Sequence, residues 1–172
     1  MTTVEELAAE VTSLRQRLAA TESVLAIHSL KAHYAELVDR RFSAGAVVDA
    51  DTLAQLADAV AGLFTPAGVW DGGPGLGTAT GRGAIAARLR DPTLTFARHF
   101  FTNPRIDVHD ETARARWELL SPCRRADGTS YWMCGFEDDD YALVEGRWLF
   151  ASMKLTTVFM APVGEGWTKV FV

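Results

Sequence analysis

Three side chains in this sequence have the chemistry of a proton-transfer site. His99 lies in the segment RHFFTNP at residues 98–104, and Tyr34 and Asp39 lie far upstream in a segment with helical periodicity. A neutral imidazole held by a carboxylate can accept a proton at neutral pH. A phenol beside it can donate a hydrogen bond to the oxyanion that forms as the proton leaves. The three residues therefore predict general-base chemistry.

The helix that carries Tyr34 and Asp39 limits how these two side chains can cooperate. Side chains on an ideal helix advance about 100° per residue, so Tyr34 and Asp39 point roughly 140° apart. Both can serve one cavity only if they flank it, or if the helix loosens near Asp39. A strand histidine on its own is more often an ordinary packed or solvated group, and that interpretation of His99 stays open from these residues alone.

Other motifs give weaker predictions. The glycine-rich loop at residues 72–77 follows a short strand, but Thr80 stands where a dinucleotide-binding loop needs its third glycine. His28 and His33 are five residues apart, whereas metal ligands on one helical face are four apart. We therefore expect no metal and no cofactor. The acidic run at residues 138–140 is interpreted as a solvated strand end.

Composition narrows the class of protein. The chain has 172 residues, 48% hydrophobic and 23% charged, which is typical of one globular domain. Its net charge of −5 argues against a nucleic acid or an anionic membrane as partner. The acidic N-terminus lacks the layout of a signal peptide. Cys123 and Cys134 are too few for a disulfide framework and are expected to be packed thiols, so we expect a cytoplasmic location.

The first 25 residues carry an apolar stripe at alternating steps of three and four. The stripe consists of Val4, Leu7, Val11, Leu14, Leu18, Thr21 and Leu25. In a heptad frame Glu10 occupies a g position and Arg15 an e position. Two interpretations remain open: a coiled-coil arm, or a helix that lies on its own domain or on a neighbour, which we favour because three heptads are too few to decide.

Helices come first along the chain and long strands follow. The helical pattern resumes at residues 27–37, a second helix should begin at Asp51 and run to Phe64, and a third should cover residues 83–90. A short strand is expected at 68–71. From residue 95 to 160 the chain predicts strands joined by hairpins at 110–111, 127–128 and 145–146. This order predicts an α+β fold, with helices packed on one face of a curved antiparallel meander. The predicted divisions are an N-terminal helix at 1–21, the α+β domain at 22–162 and a C-terminal tail at 163–172.

The hairpins also set a register for the sheet. One predicted face is mixed, as a pocket lining should be, and the other is broadly apolar and needs a cover. The mixed face carries His99, Phe101, Asn103, Glu118, Leu120, Met133, Gly135, Lys154 and Thr156. The apolar face carries Phe100, Ile106, Trp117, Leu119, Trp132, Cys134, Phe136, Met153 and Leu155. We expect a homo-oligomer buried through the apolar face, with a trimer preferred over a dimer. A single β-bulge would exchange part of the two faces.

The layout from about residue 22 to 160 resembles the SnoaL-like branch of the nuclear transport factor 2-like superfamily. Tyr34, Asp39 and His99 are similar to the motif of its bile acid 7α-dehydratase, scytalone dehydratase and hexachlorocyclohexane dehydrochlorinase group. The resemblance implies a cone-shaped barrel of helices and curved sheet, no cofactor, and often a trimer. It makes His99 the base, Asp39 its orienting carboxylate and Tyr34 the hydroxyl donor. The family's cationic pocket residue on the last strand has only Lys154 as a candidate.

Together, the residues and the resemblance predict a cofactor-independent lyase. We expect a dehydratase that acts on a small hydrophobic cyclic substrate, steroid- or polyketide-like. The expected substrate-binding residues are Trp70, Phe101, Trp117, Leu120, Met133 and Lys154. A ketosteroid-type isomerase or polyketide cyclase is the first alternative, because it uses the same proton abstraction. The alternative of another class is a non-catalytic small-molecule-binding protein, in which His99 and Asp39 merely satisfy each other.

Overall fold

The computed structural model describes residues 2–164. Its helices are α1 (Val4–Asp39), α2 (Ala50–Gly62), α3 (Gly73–Leu76) and α4 (Arg82–Arg90). Its strands are β1 (Phe42–Ser43), β2 (Ala46–Val47), β3 (Phe64–Asp71), β4 (Thr78–Thr80), β5 (Leu94–Ala97), β6 (Phe100–His109), β7 (Thr112–Arg125), β8 (Ser130–Val144) and β9 (Arg147–Val163). Residues 165–172, most of the predicted C-terminal tail, lie outside the described residues.

The two helical segments at the start of the sequence form one continuous helix, α1. It begins with a capping box, in which the Thr3 hydroxyl accepts from the Glu6 amide and the Glu6 carboxylate accepts from the Thr3 amide. Residues 2–22 are exposed, and complete burial begins at Ile27. The first half of α1 therefore projects from the domain. Of the two places predicted for it, its own domain is wrong, and a neighbour stays a prediction. None of the described helices is long and apolar enough to span a membrane.

The second helix ends two residues earlier than predicted. Asp49 caps α2, because its carboxylate accepts from the Thr52 amide at 2.9 Å. Phe64, predicted as part of this helix, begins strand β3 instead and is fully buried. The reason is a long-range contact, since β3 pairs in parallel with β9 and Phe64 lies opposite Phe150. Such a pairing overrides the local periodicity.

The sheet confirms the predicted α+β class. Strands β6 to β9 form the expected antiparallel meander, with hairpin turns at the three predicted positions. The seven-stranded sheet has the order β4-β3-β9-β8-β7-β5, and β6 also pairs with β7. Register shifts interrupt β6–β7 and β8–β9. Bulges of this kind add twist, so the sheet curls around the helices and leaves a concave inner face.

The same bulges make part of the predicted face map wrong. A shift between Thr102 and Arg105 places Phe101 opposite Leu119 rather than Leu120. A second shift, between Asp140 and Tyr141, turns Lys154 outward. The prediction that Leu120 and Lys154 line the pocket is therefore wrong, because both are exposed on the outer face. The residues that move to the buried inner side are Trp117, Leu119, Met153 and Leu155.

Candidate active site

Asp39 and His99, sixty residues apart in the chain, meet at the end of α1. The Asp39 Oδ1 atom lies 2.7 Å from His99 Nδ1 and 3.1 Å from the His99 backbone nitrogen, which donates to it. Arg98 Nε lies 3.3 Å from Asp39 Oδ2. The carboxylate is 7% exposed. It therefore holds both the backbone and the ring of His99, and the contact expected from the sequence is present.

This contact determines which ring nitrogen of His99 is left to react. An ionised carboxylate can only accept hydrogen bonds, so Nδ1 carries the proton and Nε2 keeps its lone pair. No described residue hydrogen-bonds Nε2. The ring lines a cavity on one side and stacks on Phe101, with the centroids 6.0 Å apart and the planes 18° apart. The arrangement matches that of a general base oriented by a second group.

Tyr34 lines the same cavity as His99. The Trp70 indole Nε1 donates to the Tyr34 hydroxyl oxygen at 3.1 Å. Burial, with a further contribution from the charge of Glu137, raises the pKa of Tyr34 far above its usual range. The phenol stays neutral, and no described residue accepts its proton. It can therefore donate a hydrogen bond to a ligand.

The cavity lies between the end of α1, α4 and the inner face of the sheet. Its apolar walls include Trp70, Leu76, Leu119, Met133, Met153 and Leu155. The cavity opens to solvent and has a volume of about 50 Å³. The cavity is a narrow apolar cleft with a few polar groups, as small-molecule sites usually are.

The predicted wall residues divide into three groups. Trp70 and Met133 line the cavity. Phe101 lies behind His99, and Trp117 belongs to the core below, where its indole donates to the Tyr141 hydroxyl at 3.1 Å. The exposed Leu120 does not reach the cavity. Lys154 does not line the cavity, so the last strand does not supply the predicted cationic pocket residue. A positive charge near the cleft must come from another element.

A buried ionic cluster was missed by the sequence interpretation. Lys31 Nζ bonds Glu137 and also Asp139, the latter at 2.7 Å, and the Tyr141 hydroxyl donates to Asp139 at 2.8 Å. Glu137 also lines the cavity. The 138–140 run is therefore only partly a solvated strand end, because strand alternation turns Asp139 inward. The alternation of polar residues at 137, 139 and 141 was the available signal.

The charges in this cluster do not balance, since one ammonium group faces two carboxylates. Burial raises the pKa of Asp139 to about 6, although Lys31 opposes the shift. Burial acts to lower the pKa of Lys31, but Asp139 and Glu137 outweigh it and the pKa is raised. Lys31 therefore stays charged, and its Nζ also lies 4.2 Å from the centroid of the Phe101 ring. The cluster supports the ring against which His99 stacks.

Comparisons with known proteins address the fold around this site. A family model described as the SnoaL-like domain matches residues 19–154. A search of curated proteins gives no match. Hexachlorocyclohexane dehydrochlorinase LinA-type3 from Novosphingobium barchaimii LL02 superposes with a TM-score of 0.70 at 18% identity, over 87% of this chain and 95% of that chain.

Two further solved structures come from Novosphingobium aromaticivorans. A candidate scytalone dehydratase has a TM-score of 0.67 at 21% identity, over 84% of this chain and 90% of that chain. A candidate aromatic ring hydroxylase has a TM-score of 0.67 at 21% identity, over 83% of this chain and 94% of that chain. At these identities the similarity shows a shared fold, and the chemistry must be argued from the site.

Proposed function

Because this chain belongs to the SnoaL-like domain family and brings a histidine–aspartate pair to a cleft, we propose that it is a cofactor-independent lyase. The reaction is a dehydration of a hydrophobic cyclic substrate. This substrate is steroid- or polyketide-like and carries a carbonyl group. The observation that carries the proposal is the 2.7 Å contact between Asp39 Oδ1 and His99 Nδ1, which leaves Nε2 without a partner among the described residues. Two of the structural neighbours have names that denote eliminations, which fits this reaction class.

In the proposed reaction, His99 Nε2 takes the proton from the carbon next to the substrate carbonyl. The electron pair of that C–H bond forms an enolate, whose oxygen accepts a hydrogen bond from Tyr34. The enolate then collapses, the C–O bond at the neighbouring carbon breaks, and the departing hydroxyl takes the proton back from the imidazolium as water. Asp39 holds the ring in one tautomer and stabilises the imidazolium between the two steps.

The proposal also covers assembly and location. Phe100, Leu120, Trp132 and Phe159 are exposed large apolar residues on the outer side of the sheet. Exposed apolar patches of this kind usually mark interfaces, which supports a homo-oligomer. Trp117, expected in that interface, is buried inside the fold and does not contribute to it. The two cysteines are free thiols, in keeping with the proposed cytoplasmic location.

The direct test is a screen of cyclic β-hydroxy ketones by mass spectrometry for loss of water. The purified protein should give the dehydrated product with at least one member, and the His99→Ala variant should not. A product of unchanged mass with a shifted double bond would instead indicate the isomerase alternative. No product from any member, combined with tight binding of several, would favour the non-catalytic binder.

We predict an order of severity for the site variants once a substrate is known. His99→Ala should lower kcat by about 10²–10⁴-fold, because the positioned base is lost. Asp39→Asn should lose most activity, because an amide cannot stabilise the imidazolium. Tyr34→Phe should be milder, costing no more than about 3–4 kcal/mol of barrier for one lost oxyanion donor. Steady-state kinetics would measure these effects.

His109→Ala is the matched control for His99→Ala, because His109 is exposed at the far end of β6. It should keep full activity. If His99→Ala turned the substrate over within about threefold of the parent, the proton-transfer role of His99 would be wrong.

A further inference from the structure

A buried arginine lines the cleft without a carboxylate partner. Arg41 follows Asp39 by two residues and is 9% exposed. Its Nε donates to the Val38 carbonyl at 3.0 Å and its Nη1 to the Leu89 carbonyl at 3.4 Å. Within residues 2–164 no carboxylate lies at ion-pair distance from it, and no hydrogen bond is found for its Nη2.

A second arginine, Arg88 of α4, lines the same cleft. Its Nε donates to the Leu76 carbonyl at 2.7 Å, and its Nη1 to the Asp91 carbonyl. It too lacks a carboxylate partner in the described part of the chain. Burial lowers the pKa of Arg41, and Arg88 adds to this effect while Asp39 opposes it. Both guanidinium groups therefore line one cleft, and backbone carbonyls hold them in place.

Holding one largely buried cation beside another costs free energy unless an anion joins them. We propose that Arg41 and Arg88 bind a carboxylate group of the substrate in the cleft that His99 lines. The proposed substrate is then a cyclic acid, and the two arginines anchor its carboxylate while His99 acts on the ring. A guanidinium fork is suited to this because it matches a carboxylate with two parallel hydrogen bonds. The inference rests on the proposed function only in using the same cleft.

The carboxylates of the cleft do not already fill this role. Glu137 is bonded to Lys31. Asp71 accepts from the Gly73 amide at 2.9 Å and from the Thr78 hydroxyl at 3.0 Å, and within residues 2–164 it makes no ion pair with either arginine. Both carboxylates therefore have other partners, and the unpaired positive charge on this wall is available to a ligand.

The test uses two probes of the same shape and different charge, para-fluorobenzoate and para-fluorobenzamide. Their binding to the full-length protein is followed by fluorine NMR. The benzoate should bind at least about tenfold more tightly than the amide, as a charge-assisted pair predicts. Arg41→Met and Arg88→Met should each remove most of this difference and leave amide binding unchanged. Arg90→Met is the control, because Arg90 lies on the same helix and pairs with Asp58 at the surface.

Equal affinity for the two probes, or no detectable binding of the benzoate, would overturn the proposal. The same holds if the benzoate binds the folded Arg variants as tightly as the parent. Circular dichroism checks folding, and Arg88→Met decides the question if Arg41→Met does not fold, since Arg88 is less buried. His99→Ala should keep the benzoate affinity, so a failure of the anion site and a failure of the lyase proposal give different results.

A separate observation concerns the projecting half of α1. Its apolar stripe remains exposed, between 44% at Val11 and 83% at Val4. In the heptad frame Val4 and Val11 occupy a positions, and Leu7 and Leu14 occupy d positions. Valine at a with leucine at d favours two parallel strands in a coiled coil. An exposed stripe of this pattern needs a partner helix of the same kind.

The charged residues beside the stripe indicate which partner fits. Glu10 and Arg17 occupy g positions, and Arg15 and Glu22 occupy e positions. In a parallel pair in register, each g residue faces the e residue five positions later on the other helix. Glu10 then meets Arg15 of the second copy, and Arg17 meets Glu22 of the second copy. Both pairs have opposite charges. We infer that residues 4–25 pair with the same residues of a second copy as a parallel two-stranded coiled coil.

Charge reversal in the full-length protein tests this pairing. Light scattering should give an even number of copies for the parent and half that mass for Arg15→Glu, which places two glutamates opposite each other. The double variant Glu10→Arg/Arg15→Glu should restore the mass of the parent. Gln16→Glu, at an outward f position, is the control and should leave the mass unchanged. A parent with an odd number of copies, a mass that Arg15→Glu leaves unchanged, or a double variant that stays at the lower mass would each overturn the inference.

Discussion

At the scale of single residues, Asp139 shows how one buried carboxylate ties the stability of the fold to pH. It shares Lys31 with Glu137, and its Oδ1 atom has no hydrogen-bond partner in the described part of the chain. Removing one member of a buried ionic group usually costs more than replacing the whole group. Here, however, the cluster has two carboxylates and only one ammonium group, so one negative charge is not balanced. Neutralising Asp139 should therefore be tolerated better than neutralising Lys31.

We predict that Asp139→Asn flattens the pH dependence of stability. In the folded protein the pKa of Asp139 is about 6, above its ordinary value of 3.8. The folded state therefore binds this proton more tightly than the unfolded chain, and the unfolding free energy falls as pH rises from about 4 to about 6. Urea unfolding at either end of this pH range measures how much the unfolding free energy falls. The fall should be smaller by about 1–3 kcal/mol in Asp139→Asn than in the parent.

Asp138→Asn is the control for this measurement. Asp138 is the next residue on β8, but it faces outward and pairs with Arg116 at 2.7 Å. It should keep the pH dependence of the parent. An unchanged slope in Asp139→Asn would contradict the assignment of the proton to Asp139.

Residue types together with the family resemblance predicted the histidine–aspartate pair, but not its charged surroundings. Tyr34, Asp39 and His99 are recognisable because their types and positions are similar to the motif of that family. No sequence pattern distinguishes Arg41 and Lys31, since a lone basic residue on a helix is usually solvated. Their burial arises only when α4 and β8 close over them, which local sequence does not reveal.

At the scale of secondary-structure elements, the fold depends on the register shifts between β8 and β9. A register shift lies between Cys134 and Gly135. A Cβ atom at Gly135 would overlap the backbone carbonyl oxygen of Thr156 on the neighbouring strand. Because the obstructing atom belongs to the backbone, it cannot move aside without separating the strands. Glycine is therefore required at this bulge for close backbone approach.

We predict that Gly135→Ala destabilises the protein by about 1–3 kcal/mol or more, as forced overpacking does. Gly83→Ala is the contrasting variant, because no atom lies within 4 Å of its added Cβ. In the exposed turn of α4 it should stabilise by about 0.5–1 kcal/mol, since alanine favours the helix. Thermal or urea unfolding measures both. Equal effects of the two substitutions would show that the bulge is not as tightly packed as described.

The turns could be predicted from the sequence, whereas the bulges could not. The residues of a hairpin turn are themselves typical of turns. Gly128 and Gly146, for example, each adopt a positive φ angle. A bulge, by contrast, is decided by the pairing between two strands that are distant in sequence. The bulge near Asn103, whose φ is 48°, moved Leu119 inside and Leu120 outside. One such residue changes the facing of every position beyond it.

At the scale of the whole molecule, helix α1 connects the site to the proposed assembly. Its 36 residues extend roughly 54 Å at the ordinary helical rise. The C-terminal end supplies Tyr34 to the cleft and Asp39 to His99, and the N-terminal half carries the exposed stripe. A coiled coil would therefore be continuous with the helix that holds the carboxylate of the site. The proposed boundary of the α+β domain, near residue 22, falls within this helix rather than at a linker.

We predict that deleting residues 2–21 leaves the α+β domain folded. Every described residue of that segment is exposed, so its removal takes away no core contact. A longer deletion through residue 28 also removes Ile27, which is completely buried, and should destabilise by about 2–5 kcal/mol or prevent folding. Thermal unfolding at several protein concentrations measures both effects. The Tm of the full-length chain should rise with concentration, because association stabilises the folded state, and that of the shorter chain should rise less. A deletion of residues 2–21 that unfolded the domain at low concentration would mean that the arm belongs to the folding unit, and the boundary near residue 22 would then be wrong.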